Sequence, residues 1–122
     1  KLKILLIDQP IQITLKKLTS QITKIEKITF LKEILSATLS RKKKKIKFDL
    51  NKVPSEKVIT QLLEKTKADY PTVYRVLVEE RNTYMAKNLN KLMLNYPDKS
   101  ILTIVGAGHE KSIIGEIKSI KN

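Results

Sequence analysis

The period of the apolar positions changes several times along the chain, and each change marks an element. Leu2–Ile7 (Leu-Lys-Ile-Leu-Leu-Ile) is a short apolar run closed by Asp8-Gln9-Pro10, which reads as a buried strand and its exit turn. Ile11–Ser20 has helical spacing, with Ile11, Leu15 and Leu18 on one stripe. Thr23–Ser40 repeats the pattern with Ile25, Ile28, Leu31, Ile34, Leu35 and Leu39, and is expected to pack this face on its own domain. Pro54-Ser55-Glu56 opens a third helix to about Lys67, expected to bury Val58, Leu62 and Leu63. Asp69-Tyr70-Pro71-Thr72 marks a fresh start, and the spacing predicts the longest helix over about Thr72–Asn95. Ile101–Val105 returns to a β-branched apolar run and predicts a second strand. Glu110–Ile120 is again helical, through Ile113, Ile114, Ile117 and Ile120.

These elements predict a helix-rich α/β fold, with about five helices and two short parallel strands. Two strands make a marginal sheet. The expectation is therefore one domain fragment spanning residues 1–122, part of a larger sheet. An upstream half of the same domain, or a homo-oligomer partner, would complete it. A chain that opens with Lys1 directly into a strand fits that expectation.

Composition changes this picture in a few respects. At 122 residues the chain allows one domain. It has no cysteine, so disulfides and thiolate metal sites are excluded. No apolar run approaches the roughly 20 residues of a membrane span. The formal net charge is +13, carried mostly by lysine. Such a charge suits nucleic acid or anionic lipid. The Tyr and Phe residues form no stacking ladder, however, so a nucleic-acid partner is disfavoured. Arg41–Lys45 is a run of like charges, read with the residues up to 52 as a basic, mobile connection.

Candidate chemistry gathers at strand ends. Ile101–Val105 runs into Gly106-Ala107-Gly108-His109, with the only histidine of the chain last. Gly106 and Gly108 allow a sharp turn and a close approach to a ligand. Ligands of open α/β sheets sit beyond the carboxyl ends of the strands, where His109 and Asp8 are both expected. Asp8 reads equally well as a turn or cap residue. In the long helix Val78, Met85, Leu89 and Leu92 share a face, Asn82 falls on it, Arg81 lies at its edge and Glu80 points away. Asn82 and Arg81 must therefore find partners. Arg81 could pair with Asp8, and Asn82 could hold a backbone turn. The alternative is that both orient a ligand or stabilise negative charge.

Three stretches resemble the TraB/PrgY family, which is related to the Tiki and GumN-like group. Asp8-Gln9-Pro10-Ile11 with Ile13-Thr14-Leu15-Lys16-Lys17 is similar to the family's Asp-Arg-x-Ile and Thr-x-Arg-Arg stretch. Tyr70-Pro71 leading to Glu80-Arg81-Asn82-Thr83-Tyr84-Met85-Ala86 is similar to its Glu-Arg-Asp/Asn helix. Val105-Gly106-Ala107-Gly108-His109 is similar to its second Gly-x-x-His. The resemblance implies an α/β fold and a metal-dependent, peptidase-like hydrolase that acts on or inhibits peptides, using a divalent metal. It implies that His109 is a metal ligand or catalytic residue and that Arg81, Asn82 and Glu80 belong to the catalytic set. Gly106, Gly108 and Asp8 would contact the ligand. It also implies association with a microbial or mitochondrial membrane, through segments outside this chain. The family's first Gly-x-x-His and its accompanying carboxylate are absent, Ser112 stands where Gly is usual, and Glu110 and Gln9 replace an apolar residue and an Arg. These departures keep two alternatives open. One is a non-catalytic peptide-binding or membrane-scaffold module, and the other a basic binder of anionic lipid or nucleic acid.

Overall fold

The computed structural model describes residues 3–39 and 54–120. The basic connection, Leu2 and Ser40 lie outside the described residues. The elements are α1 (Ile11–Gln21), α2 (Lys24–Leu39), α3 (Glu56–Asp69), α4 (Pro71–Tyr74), a π-helical turn (Arg75–Glu79), α5 (Glu80–Asn95) and α6 (Glu110–Ile120). The long helix expected over Thr72–Asn95 is thus one continuous rod with a wider turn set into it. Pro71 occupies the first turn of α4, where no amide hydrogen is needed.

The α/β expectation is overturned. The described residues are helical and contain neither strand nor sheet. Both predicted strands are extended, but a strand exists only in a ladder. No main-chain hydrogen bond joins the segment leading to Asp8, or the segment leading to Gly106, to any other described segment. Their side chains nevertheless alternate. Ile7 and Val105 pack against the core. Ile4 and Leu6 on one segment are 88% and 95% exposed, and Leu102 and Ile104 on the other are 89% and 88% exposed. Each segment has one face on helices and one bare apolar face.

Helices α5 and α6 hold that core. Met85, Ala86 and Leu89 of α5 meet Ile113 of α6, flanked by Ile7, Met93, Val105 and Ile117. Val78, Asn82, Met85 and Leu89 are buried along one stripe, as their spacing predicts. Elsewhere the expected faces are not covered. Ile25, Ile28, Leu31, Ile34, Leu35 and Leu39 of α2 are all exposed, as are Val58 and Leu62 of α3. Their spacing marks a helix with an apolar face; it does not supply a surface to receive that face.

Polar bonds attach α2 instead. Thr23 and Glu26 form a reciprocal capping box: the Glu26 amide donates to Thr23 Oγ1 (3.2 Å), and the Thr23 amide donates to Glu26 Oε2 (2.9 Å). The other Glu26 oxygen accepts from the amides of Thr72 (2.6 Å) and Val73 (3.3 Å), at the free N-terminus of α4. Glu26 is only 2% exposed. Burial alone would raise its pKa, but the bonds from Thr23 and Thr72 outweigh this and bring it to about 2. One buried carboxylate therefore starts two helices.

Candidate functional site

Both extended segments run in the same direction along α5. Lys3 Nζ donates to the Tyr96 hydroxyl (2.9 Å) at the far end of the helix. Asn88 Nδ2 donates to the Ile7 carbonyl (3.0 Å), and Arg81 meets Asp8 near the helix start. The second segment follows the Tyr96–Lys99 turn and ends with His109 against Asn82. Asp8 and His109 thus arrive side by side at the N-terminal part of α5, close enough that each charge affects the other.

The Asp8–Arg81 pair is a two-pronged bond. Arg81 Nε donates to Oδ1 (3.1 Å), and Nη2 donates to Oδ2. Such a fork fixes orientation as well as charge. Arg81 Nη1 also donates to the Leu77 carbonyl (3.3 Å), inside the π-helical turn. The guanidinium is the main reason that the Asp8 carboxyl lies below its usual range, opposed by partial burial. Arg81 is raised in turn, chiefly by its bond to Asp8.

His109 Nδ1 lies 2.6 Å from Asn82 Oδ1. A carboxamide oxygen only accepts, so with Asn82 placed this way the proton is on Nδ1 and the Nε2 lone pair is free. Asn82 is 2% exposed and can shift little. Burial lowers the His109 pKa, the Arg81 charge lowers it further, and Asp8 opposes both. The imidazole is held neutral with one nitrogen committed. That is how a histidine base or a histidine ligand is prepared.

The turn itself does not require glycine at position 106 or 108. Neither adopts positive φ. The turn closes by the His109 amide donating to the Gly106 carbonyl (2.9 Å). A Cβ on Gly106 would stand 3.5 Å from the His109 ring, and one on Gly108 would stand 3.8 Å from Leu63; both are ordinary contacts. Glu80 is not gathered with His109. Its carboxylate accepts from Lys17 Nζ (2.7 Å) and Arg75 Nη1 (3.3 Å). Arg75 Nη2 also donates to Gln21 (2.9 Å), so the cluster docks α1 on the π-helical turn.

Sequence reasoning missed Asn88, which fastens the segment before Asp8, and the buried bond from Gln9 Nε2 to Thr14 Oγ1 (2.9 Å) behind it. Asn88 was visible as a polar residue seven positions after Arg81, two turns along the same side. The Gln9–Thr14 pair has no sequence signal, since either residue is ordinary in a turn or helix.

No group of three His, Cys, Asp or Glu side chains suited to a metal occurs among the described residues. One imidazole nitrogen is available, and Arg81 takes both Asp8 oxygens. This donor set does not fit a catalytic metal, which needs three protein ligands and an open position.

The TraB/PrgY/gumN family matches residues 1–121, and the chain belongs to it. It is also similar to an uncharacterised protein of Methanocaldococcus jannaschii, 35% identical over 99% of this chain. The chain spans 29% of that relative's length. No solved structure matches. Among the described residues no helix is long and apolar enough to cross a membrane.

Proposed function

We propose that this chain carries one part of a peptide-hydrolase site, with His109 as its proton-accepting group. The observation that carries the reading is the 2.6 Å contact between His109 Nδ1 and buried Asn82, which leaves Nε2 unprotonated. A neutral imidazole with a fixed tautomer can take a proton from a water attacking a peptide carbonyl. Asn82 orients the ring, as the third group of a triad orients its base. The Arg81 charge helps keep the ring neutral, and Asp8 holds that charge in place. The divalent ion that the resemblance implies would need ligands beyond those described.

The test is peptide cleavage followed by mass spectrometry, with and without added divalent cation, for the native protein and His109→Ala. We expect cleavage by the native protein and a loss of roughly 100-fold or more in the variant, the scale of a positioned base. Equal cleavage by both would overturn the reading. A second reading, a module that binds peptides without cutting them, is favoured by the incomplete donor set. Its signature is peptide bound and recovered intact under every metal condition.

A further inference from the structure

We propose that Asn88 is a positioning residue for the site: its hold on the Ile7 carbonyl sets where Asp8 meets Arg81. A strand in a sheet takes its register from the ladder. The segment leading to Asp8 has no ladder among the described residues, so something else must fix its place along α5. Lys3 holds Tyr96 through an exposed bond at the far end of the helix, and the part-buried bond of the Asn88 side chain holds the residue next to Asp8. Nδ2 donates to the Ile7 carbonyl at 3.0 Å, and Ile7 is the residue immediately before Asp8. Sliding the segment by one residue would move Ile7 off the core and turn the Asp8 side chain away from Arg81.

The neighbouring bonds act in the same sense. The Gln9 amide donates to Asp8 Oδ1 (2.7 Å), and the buried Gln9 side chain is fastened to Thr14. Asp8 is thereby held from behind by α1 and from in front by Arg81, with Asn88 setting the distance along the helix. Helix α5 then carries a three-point template: Arg81 for Asp8, Asn82 for His109 and Asn88 for Ile7. Its consequence is that this part of the site is preorganised without a sheet. The inference rests on the site described above, though not on its catalysing hydrolysis.

The experiment is nitrogen-15 NMR of the Arg81 Nε–Hε group, a direct reporter of the fork to Asp8. In the native protein we expect one slowly exchanging Arg81 signal, lost in Asp8→Asn. Asn88→Ala should lose it too, with circular dichroism unchanged, and Asn88→Gln, which keeps the carboxamide, should restore part of it. If Asn88→Ala does not fold, Asn88→Asp serves instead: it keeps the shape but turns an acceptor toward the Ile7 carbonyl. A retained Arg81 signal in a folded Asn88→Ala or Asn88→Asp protein would overturn the proposal. Lost peptide cleavage would not enter the result, so failure here and failure of the hydrolase reading are separable.

Discussion

At the scale of single residues, two polar side chains carry most of the information. Glu26 is a buried carboxylate that accepts hydrogen bonds from both helix starts it joins, with its pKa brought to about 2 from the ordinary 4.5. A depressed carboxylate stabilises the fold above its unfolded pKa, and that stability is lost as the pH falls through the folded value. The difference corresponds to about 3 kcal/mol. We predict that thermal stability falls between roughly pH 4.5 and pH 2, and that Glu26→Ala costs about 2–3 kcal/mol at neutral pH while flattening that slope. Denaturation followed across pH checks both. His109 has the opposite chemistry and a different window. Its folded pKa is lowered, so the unfolded chain binds the proton more readily. Stability should therefore decline as the pH drops from above about 6.5 through the folded value. His109→Ala should remove that decline, and a titration of the lone imidazole by NMR reads the shift directly.

At the scale of elements, α5 is both core helix and site platform. One stripe buries Met85, Ala86 and Leu89 against Ile113, and the same side presents Arg81, Asn82 and Asn88 to the extended segments. Met85→Ala should cost about 2–5 kcal/mol, the usual range for a buried methionine, measured by urea denaturation. Because α5 also fixes the site, this variant should loosen the His109–Asn82 contact before the chain unfolds. The π-helical turn just upstream is common at functional positions. Here it supplies the Leu77 carbonyl that Arg81 reaches and the Arg75 that takes Glu80. This scale also divides what the sequence made legible from what it did not. The 3.6-residue period of Val78, Asn82, Met85 and Leu89 gave the buried face of α5, because a helix satisfies its own backbone and needs only one surface to pack on. The apolar runs before Asp8 and Gly106 gave extended chain but no strands. A strand depends on a partner, and a run of apolar residues does not name one. The Asp8–Arg81 pairing was legible as one of two uses for a polar residue in an apolar stripe. The partner of Asn82 was not, since a side-chain amide can hold a turn or a ring with equal chemistry.

At the scale of the whole molecule, apolar surface exceeds what the small core uses. The bare faces of both extended segments and of α2 lie open together with much of α1, while the buried core centres on α5 and α6. Large contiguous apolar patches mark interfaces or aggregation-prone surfaces. We predict that the isolated 122-residue chain binds a hydrophobic dye in its folded state, and that Leu6→Lys with Leu102→Lys reduces this binding while leaving helix content unchanged. Unchanged dye binding would place the open surface elsewhere. The site survives at this scale because its bonds are local to α5. The measurement that tests this most directly is the tautomer of His109, read from nitrogen-15 correlations of the chain's only imidazole at neutral pH. We predict a neutral ring with the proton on Nδ1 and a bare Nε2, and a mixture of tautomers in Asn82→Ala. A proton on Nε2 in the native protein would contradict it, because Asn82 would then not be holding the ring and Nε2 would have no lone pair to offer.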